Sequence, residues 1–458
     1  MSNRSTALEE ALDDVDTRFR LVPGFQPLAH ATPDRTTIIT RGSGIFVYDE
    51  RGREYLEAAS SFYVAALGYS DPELAEAAYE QLRKLPFYVS GLYRTTDVTL
   101  ALAEKLAALV PMRDARIAFA TSGSEANDFL LKFLRFRNLS GAEPRRTKVI
   151  ARVGGYHGAT LASASLTGGH HEEFGLPLAG ILHTAQPDRA GQRPGETPEA
   201  YAERLAGELE ALLAREDPET VAAFIAEPVA FACGLALPPP TYWQRVQAVL
   251  ARHGVLCFVD EVVTGFGRTG DWFGSQTFDI RPHCMTLGKA LSSGYFPISA
   301  IAMSGEFYEG LTHASDRVGD FPHAGTHAGH PVGCAVALRM LEIIEQRRLL
   351  DHVRTVGPLL QQRMARYRGH PLVADVRGVG LAAALEFRDD GGAGGALAAT
   401  SVLCRTFCER AAAHGLLVRG TGPTVIVAPP LVISQGEIEE LFRRFDRAFA
   451  ETEARAST

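Results

Sequence analysis

The amino-acid sequence predicts an α/β protein, with a large domain around a mostly parallel central sheet and a smaller α+β domain. Between residues 100 and 300, short apolar runs alternate with helical stretches. From about residue 331 the pattern changes to longer helices and a few alternating strands. The 458 residues, 46% of them hydrophobic and 22% charged, suffice for a large core and two or three structural units.

Five apolar runs predict the strands of the central sheet. They are RIAFA from residue 116, KVIARV from 148, AAFIAE from 222, VLCFVD from 255 and HCMTLG from 283. Continuous apolar runs of this length are typical of strands that are buried on both faces. Their alternation with helices predicts parallel pairing through crossover connections.

The C-terminal part predicts a hairpin and a long helix. In residues 415–432, GLLVRGTGPTVIVAPPLV, glycines and a proline separate two apolar runs. The last helix places Phe442, Phe445 and Phe449 on one face. We therefore predict an N-terminal segment that packs with the small domain, a large cofactor-binding domain and a C-terminal small domain, at residues 1–65, 66–330 and 331–458.

Charge and composition narrow the class of protein. The net charge of −8 and the pI of about 6.0 speak against nucleic acid or an anionic membrane as partner. No apolar run is long enough to span a bilayer. The six cysteines are scattered without a C-x-x-C motif, so neither a zinc site nor a disulfide framework is expected. The polar, acidic start MSNRSTALEEALDDVD resembles neither a secretory signal nor a transit peptide, so we expect a cytoplasmic protein.

The candidate binding and catalytic residues are those at the strand ends, because ligands of open parallel sheets bind at the carboxyl ends of the strands. Small residues 121–127 precede a helix, where backbone N–H groups can bind a phosphate or simply form a cap. Tyr156 lies among glycines, and its ring either stacks on a flat ligand or packs locally in a turn. Glu227 ends the third run, and its carboxylate either belongs to the site or is solvated.

The last two strand ends are more specific. Asp260 follows five apolar residues and needs a cationic or donor partner to offset its desolvation. Lys289 follows the fifth run; the alternative to a site role is a surface lysine with an extended side chain. Taken together, the five strand ends meet the needs of pyridoxal 5'-phosphate: a lysine for a Schiff base, a carboxylate for the pyridine nitrogen, a phosphate cup and a flat partner.

A competing motif lies between these residues. Gly265, Gly267 and Gly270 spell G-x-G-x-x-G, which is typical of dinucleotide-binding enzymes. That motif should follow its strand directly and open a helix, and here residues 260–264 intervene and no amphipathic run follows. We therefore interpret the glycines as a tight loop beneath the cofactor.

Several stretches resemble the class III aminotransferases, fold-type-I enzymes that include ω-amino acid:pyruvate and 4-aminobutyrate transaminases. The matching stretches are TSGSEAND from 121, GYHGATLASASLTG from 155, FIAEPV from 224, VDEVVTGFGRTG from 259, TLGKALSSGYFPISA from 286 and THAGHPVGCAVA from 326. LPFYVSGLYRTT from 85 and PGETPEAYAERLA from 194 resemble the pyruvate-using branch. The resemblance covers roughly residues 20 to 450.

The resemblance implies a role for each matched residue. Lys289 would bond the cofactor and then move the substrate proton, and Asp260 would pair with the pyridine nitrogen. The implied cofactor-binding set is Gly123, Ser124, Tyr156, Glu227, Asp260, Val262, Lys289 and Thr326. Thr326 would come from the partner subunit, which implies a homodimer with shared active sites and leaves a tetramer open. Arg419 would bind the substrate carboxylate, as its planar fork suits a bidentate pair.

Three departures from the family pattern bear on the substrate. Where relatives have glycines after the glutamate, this chain has Phe231 and Cys233 on either side of Ala232. Tyr63 stands where tryptophan is common, and His327 replaces an aromatic residue. The changes around Phe231 are either a repacked loop or a reshaped pocket; we assign Tyr63, Phe231, Ala232 and Arg419 to substrate binding.

Further histidines flank His327, at 323 and 330, but no acidic ligand lies nearby and no metal site is predicted.

The expected activity is transfer of an amino group from an ω-amino acid or primary amine to a keto acid, with pyruvate as the expected acceptor. Another fold-type-I enzyme, such as an aminomutase, racemase or decarboxylase, uses the same lysine and aspartate and remains an alternative. A nicotinamide dehydrogenase would not need Lys289, and a non-catalytic scaffold would bind no cofactor.

Overall fold

The computed structural model describes residues 36–141, 143–169, 171–388 and 400–456, together with residues 21, 22, 24, 25, 28 and 32. The strands are β1 (Ile39–Ser43), β2 (Phe46–Asp49), β3 (Glu54–Glu57), β4 (Arg116–Ala120), β5 (Lys148–Arg152), β6 (Ile181–Thr184), β7 (Val221–Ala226), β8 (Leu256–Asp260), β9 (Cys284–Leu287), β10 (Ser299–Met303), β11 (Val373–Val379), β12 (Ala382–Phe387), β13 (Leu416–Leu417), β14 (Arg419–Thr421) and β15 (Thr424–Val427).

The helices are α1 (Ser60–Tyr63), α2 (Pro72–Lys84), α3 (Asp97–Leu109), α4 (Gly123–Leu139), α5 (Leu161–Leu166), α6 (Pro198–Glu216), α7 (Tyr242–Arg252), α8 (Gly274–Thr277), α9 (Gly305–Val318), α10 (Pro331–Gln346), α11 (Leu349–Ala365), α12 (Val402–Ala413) and α13 (Gln435–Ala456).

The central sheet confirms the predicted α/β class. Its order is β4-β10-β9-β8-β7-β5-β6, and its pairs are parallel except that β10 runs antiparallel to both neighbours. All five predicted runs are strands of this sheet. Two further strands, β6 and β10, were missed, because ILHT is short and SAIAM is rich in small residues that give little strand signal.

Helices cover both faces of this sheet, which is why its strands are apolar throughout. Every residue of β7 is buried. On one face, α4, α5 and α9 bury leucine and phenylalanine side chains. On the other, α3, α6, α7 and α10 contribute to the main core. With both faces filled, only the strand ends remain open for a ligand.

Two smaller sheets involve both ends of the chain. β1, β2 and β3 are completed by β13, which pairs with β3 in parallel. The second sheet has the order β11-β12-β15-β14, and β14 and β15 form the predicted hairpin. Helix α10 packs against α2 and α3. The domain division at residues 65 and 330 remains a prediction.

Helix α1 has an unusual backbone. Its residues Ser60, Ser61, Phe62 and Tyr63 all have positive φ, between +48° and +67°. A left-handed helical conformation costs an L-residue about 1–2 kcal/mol. The rest of the structure must therefore supply the contacts that hold this turn.

The C-terminal helix α13 yields a stability prediction. Phe445 is fully buried and its ring contacts those of Tyr367, Phe407 and Phe442. Phe445→Ala should lower the free energy of unfolding by about 3–5 kcal/mol, since the lost ring leaves a cavity. Thermal unfolding measures this, with Arg447→Ala on the exposed face of the same helix as control. Equal melting temperatures for the two variants would contradict the packing.

Candidate active site

A cavity of about 220 Å³ opens where the carboxyl ends of the central strands face the C-terminal hairpin. It brings together seven of the predicted residues: Tyr63, Tyr156, Glu227, Phe231, Ala232, Lys289 and Arg419. Four lining residues were not predicted: Phe25, Phe62, Val263 and Thr421. Residues from the N-terminal segment, the central sheet and the hairpin thus meet in one place.

Lys289 follows β9 and has a φ of +46°. Burial lowers the pKa of its amine to about 8, although the Asp260 and Glu227 carboxylates act in the opposite direction. The amine nitrogen lies 5.7 Å from the centre of the Tyr63 ring. A substantial fraction of the amine is therefore neutral near pH 7 to 8, as a nucleophile or base requires.

Asp260 ends β8 and is 4% exposed. One carboxylate oxygen, Oδ2, lies 2.8 Å from His157 Nδ1 and accepts a hydrogen bond from Asn127 Nδ2 at 2.9 Å. The other, Oδ1, accepts from the backbone N–H of Val262 at 3.0 Å. These partners compensate for the burial of the carboxylate and fix its orientation.

Asn127 and His157 also belong to the site, although the sequence did not predict them. The Asn127 amide also donates to the His157 carbonyl at 2.7 Å, so one side chain ties two strand ends together. Burial alone would lower the pKa of His157, but the hydrogen bond with Asp260 and the charge of Glu227 raise it. Both residues lie inside motifs at strand ends, and that position was the available signal.

Glu227 lies beside the same network. Its Oε1 accepts from the backbone N–H of Tyr156 at 3.2 Å. Arg152, only 1% exposed at the end of β5, donates to the Glu227 carbonyl at 2.5 Å and lies 3.4 Å from Oε2. The buried guanidinium of Arg152 offsets the desolvation cost of the Glu227 carboxylate, which is the second buried carboxylate in the site after Asp260.

The start of α4 fits a phosphate. Ser122 caps the helix by accepting from Glu125 N–H at 3.2 Å, so Gly123 and Ser124 lie in the first turn. Gly158, with φ +141°, passes so close that a Cβ there would lie 2.6 Å from the Ser124 hydroxyl oxygen. A helix N-terminus in a glycine cradle favours a bound anion.

Val262 packs its methyl groups against the backbones of Gly123 and Gly288. The adjacent Val263 lines the cavity.

These residues fit pyridoxal phosphate. A buried amine of lowered pKa, a hydrogen-bonded carboxylate, an open helix N-terminus and the Tyr156 ring provide one partner for each part of that cofactor.

Glu261, the neighbour of Asp260, has a different role. It is fully buried and accepts hydrogen bonds from Thr264, from Gly274 N–H and from both the N–H and the hydroxyl of Ser275. The carboxylate therefore fixes the loop that follows β8 and does not face the cavity.

The glycine loop packs against the C-terminal part of the chain. Gly267 lies against Leu350 and Leu431, and Arg268 donates to the carbonyl oxygens of Leu381 and Pro429 at 3.0 and 2.6 Å. None of the residues from 264 to 270 lines the cavity. This loop attaches the C-terminal part of the chain to the central sheet, and its position beneath the cofactor stays a prediction.

The departures around Phe231 shape the cavity. The Phe231 ring packs on the Tyr63 ring, with centroids 4.9 Å apart. Cys233 donates to the Gly154 carbonyl and accepts from Gln186 at 3.3 Å. Phe231 thus lines the wall of the cavity. Burial raises the pKa of the Cys233 thiol to about 12, so the thiol is not ionised near neutral pH.

Thr326 is exposed and does not line the cavity of its own chain. Of the nearby histidines, His323 packs on Phe129 and Phe133, whereas His327 contacts Phe87. Within the residues that the structure describes, no cluster of three or more histidine, cysteine or acidic side chains can hold a metal ion. In the same residues, no helix combines the length and apolar character that a membrane span requires.

The fold and the site define a pyridoxal-phosphate-dependent enzyme, and comparison with known proteins identifies the family. Residues 28–449 match the family described as aminotransferase class-III. The chain is 42% identical over 424 residues to gamma-aminobutyrate transaminase 1 of Oryza sativa subsp. indica, covering 92% of this chain and 82% of that one. It is 41% identical over 422 residues to vanillin aminotransferase of Capsicum frutescens, covering 91% and 92%.

Similarity to a solved structure supports the same family assignment. The omega transaminase of Pseudomonas jessenii in complex with PMP superposes with a TM-score of 0.91, at 40% identity over 97% of each chain. The chain belongs to the class III aminotransferases. It is an aminotransferase of fold type I that uses pyridoxal phosphate.

The lowered pKa of Lys289 predicts how the apoprotein takes up its cofactor. Only the neutral amine attacks a carbonyl, so the rate of covalent attachment should rise about tenfold per pH unit below pH 8 and level off above it. Stopped-flow absorbance across pH 6 to 10 measures the rate, with Lys289→Ala as the control that cannot attach. A midpoint near 10.5, the ordinary value for lysine, would contradict the effect of burial.

Proposed function

We propose that this aminotransferase takes the amino group from an ω-amino acid or primary amine and gives it to pyruvate. The observation that carries the proposal is a single small cavity lined by both the Lys289 amine and the Arg419 guanidinium. An amine at one end and a fixed cation at the other suit a short molecule with a carboxylate. Pyruvate is such a molecule.

When bound, pyridoxal phosphate serves as an electron sink that stabilises the substrate carbon after it loses its proton. Lys289, partly neutral because of its lowered pKa, takes that proton and returns it during each half-reaction. Asp260, held by His157 and Asn127, would supply a fixed negative charge to the ring nitrogen. Tyr156 would support the ring face, and Gly123 and Ser124 would bind the phosphate.

The amine donor is proposed from the cavity wall. Tyr63 and Phe231 place two rings in tilted contact in the wall of the cavity that Lys289 also lines, where a glycine at 231 would leave open space. Such a wall favours a flat or aromatic amine over 4-aminobutyrate. The relatives named above include both a gamma-aminobutyrate transaminase and a vanillin aminotransferase.

We also propose a cytoplasmic homodimer with shared sites. Thr326 is exposed, and so are several apolar side chains in the segment from 87 to 93, including Leu92 at 82% and Tyr93 at 109%. Exposed apolar segments of this kind are typical of subunit interfaces. A phosphate contact from the partner's copy of Thr326 would explain why that residue lies outside its own cavity. Sedimentation of the purified protein tests the oligomeric state.

The test of the activity is spectroscopic. Adding an amine panel to the holoenzyme without keto acid should abolish the visible absorption of the cofactor, and pyruvate should restore it. Lys289→Ala should still bind the cofactor but lose both changes. Restoration by 2-oxoglutarate and not by pyruvate would contradict the proposed acceptor. A band that no amine abolishes would favour an aminomutase, racemase or decarboxylase.

Replacement of Phe231 tests the donor pocket. Phe231→Gly removes the ring that packs on Tyr63, so the preference for an aromatic amine over 4-aminobutyrate should fall by at least about tenfold in kcat/KM. The ratio of kcat/KM for 1-phenylethylamine to that for 4-aminobutyrate measures the change. An unaltered ratio would show that Phe231 only packs the loop.

A further inference from the structure

The left-handed turn α1 is held from outside by named contacts. The buried Glu57 carboxylate accepts hydrogen bonds from the N–H groups of Ala59 and Ser61 and from the Tyr69 hydroxyl. The Ser60 hydroxyl donates to the carbonyl of Ala428 at 2.6 Å. An unfavourable backbone held by several buried hydrogen bonds points to a required side-chain position.

The turn presents two consecutive side chains to the cavity. Tyr63 faces Lys289 and Phe231, as described above. Phe62, which is 48% exposed, lies under Arg419, with its ring centroid 4.8 Å from the guanidinium carbon. Phe25 lies 5.5 Å from the same carbon, and the two phenyl rings are 5.8 Å apart. Arg419 therefore rests against a pair of aromatic rings.

The partners of the Arg419 guanidinium are aromatic rings, which leave its N–H donors available. Among the residues that the structure describes, no carboxylate forms an ion pair with this guanidinium. A ring face attracts a guanidinium without using its N–H donors, whereas a carboxylate would occupy them. The arrangement holds the cation in place and leaves its fork free for a ligand.

We propose that Phe62, presented by the left-handed turn, is the positioning residue that keeps Arg419 in the cavity for the carboxylate of the acceptor. The inference rests on the proposed function, because it assumes that Arg419 binds that carboxylate. Phe25 provides the second ring, and Glu57 holds the turn. Acceptor preference is then set by the N-terminal segment as well as by the hairpin.

Replacement of one ring tests the proposal. Phe62→Leu keeps an unbranched Cβ in the left-handed turn, so the backbone cost stays similar while the aromatic face is lost. KM for pyruvate should rise about five- to tenfold, because a weaker cation–π contact leaves Arg419 displaced for more of the time. KM for butanal, an acceptor without a carboxylate, should not rise. Phe62→Tyr should restore the low KM for pyruvate.

Controls separate a positioning role from a general loss of structure. Phe174→Leu removes an exposed phenyl ring that contacts His171 and should leave both KM values as they are. Equal rises in KM for pyruvate and butanal in Phe62→Leu would overturn the proposal, since the residue would then shape the pocket in general. Melting temperature and cofactor absorption report whether the variants are folded and loaded.

A double-mutant cycle with Arg419→Leu distinguishes the failure of the inference from that of the proposed function. If Arg419→Leu leaves KM for pyruvate unchanged, the proposed role of Arg419 fails, and the inference fails with it. If Arg419→Leu raises KM but Phe62→Leu does not, only the inference fails. If Phe62 acts through Arg419, Phe62→Leu should have no further effect on pyruvate in the Arg419→Leu background.

Discussion

The burial of an amine and two carboxylates at one sheet edge is the constraint on which the site depends. Lys289, Asp260 and Glu227 would each be costly alone in this interior. Their costs are offset by a surrounding set of donors and cations, in which Arg152 and His157 are the charged or chargeable members. The three charged residues lie at the ends of β9, β8 and β7, and their partners come from the end of β5, from the residues after β8 and from α4, so their compensation depends on the assembled sheet and its helix. The fold is therefore required for the charges of the site, because it brings together the groups that stabilise Lys289, Asp260 and Glu227.

Much of the sheet and its ligand edge could be predicted from the sequence because both are encoded locally. The run VLCFV followed by Asp260 shows a buried strand and a polar end within six residues. The same holds for the run that precedes Lys289. The hairpin that carries Arg419 was equally visible, because glycine and proline separate two apolar runs.

Other parts of the site could not be predicted because their partners are far apart in sequence. Asn127 meets Asp260 across 133 residues, and although the apolar run before Asp260 indicates that this carboxylate needs a partner, nothing local identifies Asn127 as that partner. The left-handed turn is less visible still, since SSFY contains neither glycine nor asparagine. Its conformation is imposed by Glu57 and by the carbonyl of Ala428, and tertiary contacts override the local preference.

The short parallel ladder between β3 and β13 has a consequence for how the enzyme can change. Leu56 pairs with Leu416 and Glu57 with Leu417, so the strand that leads into the left-handed turn is in register with the strand that leads to Arg419. The wall around Arg419 is thus assembled from an early and a late part of the chain, whereas the cofactor edge comes from its middle. Under the roles proposed for Arg419 and Phe62, substitutions in these two parts alone alter what the enzyme accepts while the residues of the cofactor edge stay the same. Diversification of substrates within such a lineage needs no change at the strands that bear Asp260 and Lys289.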